Sequence, residues 1–136
     1  MFGEFAGQPA SVVIERLGLA ELPAEGGYWK AGPRTERLNS ILYLMTPSGF
    51  SALHKLKVVE GWQWLAGAAC HMLQLLPDGS HYELELGPAW PQTIVEKGVW
   101  QGSSTRGDWT LVSCWCSPAF TDAAFTLGAR TKLLKQ

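Results

Sequence analysis

The sequence predicts an all-β fold: an antiparallel jelly-roll β-barrel preceded by one short helix. Three observations carry this. Eight or nine short apolar runs recur at regular spacing, with turn residues between them. Several of these runs are apolar on both parities, as strands covered on both faces are. Only one stretch, ahead of Pro23, carries an apolar stripe of helical period.

Taken in order, that helix begins after Pro9, which suits a first turn. Ala10, Val13, Ile14 and Leu17 then recur at i, i+3, i+4 and i+7, and Gly18 is the stop signal. Residues 1–21 are therefore expected to form a helical segment packed on the barrel, and residues 22–136 the barrel domain. Strands are expected at Tyr28–Ala31, Leu38–Met45, Phe50–Val58, Glu60–Leu65, Ala69–Leu76, His81–Leu86, Gln92–Glu96, Val99–Ser103 and Trp109–Ser117. Thr46-Pro47-Ser48-Gly49, Ala66-Gly67, Pro77-Asp78-Gly79-Ser80, Lys97-Gly98 and Thr105-Arg106-Gly107-Asp108 supply turns. In Ala69–Leu76, Cys70 and Met72 face one way, while Ala69, Leu73 and Leu75 face the other. Part of the outer surface should then be covered by the helix or by a second subunit, and a homodimer is expected.

Composition narrows the function classes. At 136 residues, 46% apolar and 17% charged, the chain is one globular domain with a core that needs no staples. A net charge of −1 offers no basic face for nucleic acid and no polybasic handle for a membrane. No apolar run approaches the roughly 20 residues that span a bilayer. Residues 1–9 carry Glu4 and no basic residue, so they do not read as a signal peptide. Cys70, Cys114 and Cys116 are an odd number, and the last pair lies two apart on a strand at the edge of disulfide reach. They are read as reduced, packed thiols of a cytoplasmic protein. Seven tryptophans need a core, an interface or a ligand to cover them.

The candidate chemistry starts from His54 and Glu60. Positions 54, 56, 58 and 60 share a strand parity, so one imidazole and one carboxylate can converge on the barrel interior. Together they are a minimal acid–base kit, half of a metal site, or simply a structural pair. Trp62 and Trp64 share the face of Glu60, with Gln63 opposite unless a bulge intervenes, and indoles beside a carboxylate raise its pKa. Glu25-Gly26-Gly27-Tyr28 is a glycine loop able to bring Glu25 and Tyr28 over a barrel mouth, or else a plain tight turn. Arg34 and Arg37 follow, read as exposed charge rather than as an anion clamp. His71 is read as a core or interface residue and His81 as solvated. No base sits at fixed spacing from Ser103-Ser104-Thr105, and no phosphate-loop fingerprint is present.

The spacing of His54, Leu56, Glu60 and Gly67 resembles the first cupin motif, with Leu56 in place of its second His. Lys97-Gly98-Val99-Trp100-Gln101 resembles the second motif, with Gln101 at the position of a metal-binding His. The ordered segments Glu25-Gly26-Gly27-Tyr28, Ser40–Met45, Phe50–Leu56, Glu60-Gly61-Trp62, Gly98–Gln101 and Ser117–Phe120 are similar to the small single-domain cupin family once known only as a domain of unknown function. This resemblance spans residues 22–134. It implies a single-cupin homodimer related in fold to sugar epimerases and germins. It also implies a metal set of three imidazoles and a carboxylate, of which two imidazoles are missing here. A weak site at His54, Glu60 and Gln101 is the residual metal option, and no cofactor is expected. Departures include Gln63 where the family usually has His, Val59 where it has an acid, and Ala24 where a His is common.

The expected function is binding of a small molecule in the barrel. His54, Glu60 and Gln101 would give polar contacts, Trp62, Trp64 and Trp100 flat walls, and Glu25, Tyr28 and Gln63 further contacts. If the protein is an enzyme, His54 is the expected base, with Glu60 or Tyr43 as the acid, in a metal-free epimerase, isomerase or lyase. The alternatives are a ligand-binding or sensing protein without turnover, and a metal-dependent oxygenase with a degenerate ligand set.

Overall fold

The computed structural model describes residues 2–128. A short 3-10 turn, Phe2–Phe5, precedes α1 (Ala10–Leu17), which ends at Gly18 in the left-handed region, as the stop signal predicted. The strands are β1 (Ala20–Glu21), β2 (Tyr28–Arg34), β3 (Asn39–Met45), β4 (Ser51–Leu56), β5 (Val59–Gly67), β6 (Cys70–Leu75), β7 (His81–Leu86), β8 (Gln92–Val95), β9 (Trp100–Thr105), β10 (Thr110–Ser117) and β11 (Phe125–Leu127). They form two antiparallel sheets, ordered β1-β2-β3-β10-β5-β8 and β11-β4-β9-β6-β7. This is the jelly-roll architecture expected. Two short strands, β1 and β11, are additions to the sequence reading.

Register decides which side chains meet. Across the six-stranded sheet, Tyr43, Val112 and Trp64 pair in one row, Ile41, Cys114 and Trp62 in the next, and Asn39, Cys116 and Glu60 in the third. These rows face the other sheet. Tyr43, Met45, Trp62 and Val112 pack there against Cys70, Met72 and Leu86 as one core. A bulge between Leu111 and Val112 on the β10–β5 pairing shifts the register of β5 beyond Trp64.

The opposite face of the six-stranded sheet is partly covered by the N-terminal segment. Phe5, Val13 and Leu19 pack with Leu44, Ala66, Trp109 and Leu111. Val13 is fully buried, which contributes about 1.5–3 kcal/mol. The Trp109 indole N–H donates to the Gln8 carbonyl at 2.7 Å, tying this segment to the sheet. Beneath that indole, Gly67 is required: its φ is +85°, and a Cβ would sit 2.5 Å from the Trp109 ring. The rest of the face leaves Trp115 and Ile94 exposed on either side of Gly61.

Candidate functional site

The cavity lies at the other end of the interior, past the packed core. Its volume is about 790 Å³. Trp29, Ile41, Leu56, Phe120 and Phe125 wall it, and Glu25, His54, Glu60, Cys114 and Cys116 bring the chemistry. Both sheets contribute. The β4–β9 pairing sets His54 opposite Gln101 on the five-stranded sheet, and the β10–β5 pairing sets Glu60 opposite Cys116 on the six-stranded one.

His54 is 1% exposed. Its Nδ1 lies 2.7 Å from the Ala52 carbonyl oxygen, an acceptor, so Nδ1 carries the hydrogen and donates it. Nε2 is then the lone-pair nitrogen. It faces Glu25 Oε1 at 3.8 Å, too far for a hydrogen bond. The Phe125 ring stacks on the imidazole at 5.5 Å between centroids. Burial pushes the His54 pKa down, against an upward pull from Glu60, so the ring is held neutral.

Glu60 accepts a hydrogen bond from Gln101 Nε2 at 2.9 Å, which bridges the two sheets. Cys116 Sγ lies 3.8 Å from the other carboxyl oxygen. Burial pushes the Glu60 pKa up to about 7; His54 opposes this and Glu25 adds to it. The Trp62 indole N–H also favours the ionised form of Glu60. It meets no acceptor in full hydrogen-bond geometry among the described residues.

Glu25 arrives from the loop before β2. That loop is closed by Leu22 N–H donating to Gly27 O and Gly26 N–H donating to Leu22 O, and the Ala52 N–H donates to the Glu25 carbonyl. Gly27 has φ +81°, and a Cβ there would sit 2.5 Å from the Tyr43 hydroxyl oxygen and 2.6 Å from its ring, so the second glycine is obligatory. Burial raises the Glu25 carboxyl to about 7, opposed by Ser51, whose hydroxyl donates at 3.5 Å. Glu25 keeps 18% of its side-chain surface open, so Glu60 is the more enclosed of the two.

The structure brings His54, Glu60, Gln101 and Glu25 together, and disperses the other expected site residues. Tyr43 stands in the packed core with its hydroxyl donated to the Gly26 carbonyl, and its pKa is pushed up chiefly by burial. It is bound into the fold rather than turned to the cavity. Trp62 faces inward but fills the core, edge-on to Tyr43. Trp64 packs on the same core and donates its indole N–H to the Ala68 carbonyl. Trp100 lies outside, its ring 4.8 Å from the Lys55 ammonium. Tyr28 packs on the cluster around α1. Gln63 accepts from Gln92 at 2.6 Å and donates to Trp64 O, away from the cavity. None of these six lines the cavity.

The reading missed Trp29, Ile41, Cys114, Cys116, Phe120 and Phe125 as cavity walls. For Trp29 the signal was available, because alternation sets it opposite in face to Tyr28. Arg34, exposed as expected, nonetheless borders the cavity and donates to the Phe120 carbonyl at 2.7 Å. His71 is neither core nor site: it pairs at 2.7 Å with Glu83 on the outer surface, where His81 is largely solvated. All three cysteines are free and buried.

The donor set does not fit an ordinary cupin metal centre. Leu56 offers no donor, and Gln101 offers only a neutral amide oxygen outside the cavity lining in place of an imidazole. Among the described residues no group of three or more His, Cys, Asp or Glu is placed to hold an ion. No described helix is long and apolar enough to cross a membrane.

Comparison with known proteins agrees with this architecture. A family model described as Cupin superfamily (DUF985) matches residues 11–128. The chain belongs to the cupin superfamily. The structure of protein SO0799 from Shewanella oneidensis is similar at 31% identity and a TM-score of 0.84, over 95% of this chain and 90% of that one. A hypothetical protein from Leishmania major matches at 26% identity and 0.84, over 94% and 92%. The oxalate decarboxylase of Bacillus subtilis matches at 14% identity and 0.68, over 80% of this cupin but 30% of that chain, which speaks to the fold alone. Comparison with curated proteins gives no match.

Proposed function

We propose that this cupin binds a small molecule in the cavity and moves a proton on it without a metal, as an isomerase, epimerase or lyase. One observation carries the reading. A neutral imidazole, its tautomer fixed by Ala52, turns its basic nitrogen toward a carboxyl group inside a largely apolar cavity. His54 Nε2 takes a proton from a substrate C–H. Glu60 in its protonated form gives one back at the second position, and its pKa near 7 keeps both forms populated at neutral pH. Transfer from the imidazolium to the carboxylate, with Glu25 between bulk water and the pair, then restores the resting state. No proton is gained or lost overall. Tyr43 takes no part in this scheme, because its hydroxyl serves the Glu25 loop.

The test is native mass spectrometry of the purified protein to identify a co-purified ligand, followed by solvent deuterium incorporation into that compound. His54→Gln is expected to retain binding and to lose exchange by on the order of a hundredfold or more. Exchange at the wild-type rate in this variant overturns the catalytic role. Binding with no exchange in the wild type supports the runner-up, a non-catalytic binding or sensing cupin, which the apolar walls favour. Stoichiometric Fe, Mn or Ni in the purified protein would overturn the metal-free scheme. A homodimer is part of the same proposal, supported by the exposed Trp115 and Ile94, and light scattering at the monomer mass overturns it.

A further inference from the structure

We infer that the cavity receives an amine as its ammonium ion, with an apolar body against Trp29, Phe120 and Phe125. This rests on the reading of the cavity as a small-molecule site and names the class of ligand it takes.

The charges point one way. Glu25 and Glu60 face the cavity, and Asp122 lies on its border. Among the described residues of the lining, against these three acids stand Arg34, exposed and turned to the Phe120 carbonyl, and His54, which is neutral. Cys114 and Cys116 are the remaining titratable groups, and burial keeps both protonated. A buried carboxylate without a cation costs several kcal/mol, so the two glutamates are stable as anions only when a positive charge sits with them.

The unfilled hydrogen-bonding capacity points the same way. Gln101 Oε1 accepts nothing from any described residue, but it is fully enclosed and lies outside the cavity lining, so the acceptors that count are those of the glutamates. One carboxyl oxygen of Glu60 has only the weak Cys116 thiol, and Glu25 Oε1 has the 3.8 Å approach of His54 Nε2. Among the described residues two buried donors lack partners: Trp62 Nε1, which faces Glu60, and the Ser103 hydroxyl, which lies outside the cavity lining. An ammonium brings three donors and no acceptor. A polyol brings as many acceptors as donors, and a carboxylate brings acceptors alone. The aromatic walls then suit the carbon body, with ring faces attractive to a nearby cation.

Calorimetry on the intact chain separates these cases with three probes of similar shape: phenethylamine, phenethyl alcohol and 3-phenylpropionate. At pH 8, where the amine remains charged, it is expected to bind on the order of tenfold more tightly than the alcohol. The propionate should bind most weakly. Glu25→Gln and Glu60→Gln should each bring the amine down to the level of the alcohol without changing the alcohol. Glu25 sits on a surface loop, so its variant is expected to fold even if the other does not. At pH 7, amine binding should release protons as Glu25 ionises, read from the buffer dependence of the heat. Alcohol or propionate binding as well as the amine, or absence of proton release, overturns the inference and leaves the cavity reading standing. If none of the three binds, both fall together.

Discussion

On β10, Val112 lies against Tyr43 in the packed core, Cys114 borders both that core and the cavity, and Cys116 lies beside Glu60 at the edge of open space. The same strands, with the same register, therefore build a filled end and a hollow end. At the filled end Tyr43, Met45, Trp62, Met72 and Leu86 are large and almost wholly buried. At the hollow end the rows carry thiols, Asn39 and Ile41, and the bulk comes from Trp29, Phe120 and Phe125 at the margin. Glu25, His54 and Glu60 stand at the hollow end because short side chains left room there. The two-sheet scaffold is common to both ends, and side-chain volume decides which end has room to hold a ligand.

The largest expected contrast is in stability. Trp62→Ala should cost about 3–5 kcal/mol, since it empties a closed core. Phe125→Ala removes a half-buried ring next to existing space and should cost about 1–2 kcal/mol. Denaturant unfolding of the two variants measures the difference. Equal losses would mean that the hollow end is packed as tightly as the core.

The next contrast is in pH dependence, which only the hollow end should confer. Glu60 is held near pKa 7 in the folded chain, above its usual 4.5, so the folded state binds its proton more strongly. The associated stability is fully present below pH 4.5 and is lost as pH rises through 7. Glu25 acts in the same direction. His54, whose pKa is lowered, acts oppositely: its contribution is present above pH 6.5 and is lost as pH falls below it. Glu60→Gln should therefore recover up to about 3 kcal/mol at pH 8 relative to pH 5. Thermal unfolding across pH 4.5–8 checks this, and an unchanged slope would place the carboxylate in water.

The contrast also shows what was legible in the sequence. The jelly roll was legible because period-2 runs and turn residues recur, and ten-residue patterns survive errors of a residue or two at each end. β11 was missed because Phe125-Thr126-Leu127 is too short to show a period. His54, Glu60 and Glu25, which line the cavity, were singled out by strand parity and glycine chemistry, and Gln101 by the resemblance to the second cupin motif. The tryptophans were misplaced because alternation reports the face of a sheet and says nothing of depth along it. Trp62 is on the inner face, as expected, but one row too deep. Trp100 could have been set aside: if its neighbour Gln101 points in, Trp100 must point out.

Smaller effects belong to the margin of the hollow end. The Asn39 carboxamide oxygen accepts from the Phe120 N–H at 2.7 Å, holding the C-terminal wall to β3. Asn39→Ala should lower stability by about 1 kcal/mol, and hydrogen exchange at the Phe120 amide should rise with it. Loss of stability without faster exchange would mean that some other contact holds the wall.

The smallest effect tests the loop that carries Glu25. Ala24 has φ +67°, the one non-glycine described residue in the left-handed region. Its Cβ crowds the following backbone there, which costs about 1 kcal/mol. Glycine removes that strain but gives the unfolded chain more freedom to lose. Ala24→Gly should thus stabilise the protein by roughly 0.5 kcal/mol while loosening the loop, so amine binding should weaken slightly as Tm rises. A fall in Tm would show that the alanine methyl, which lines the cavity, contributes more by packing than its backbone loses by strain.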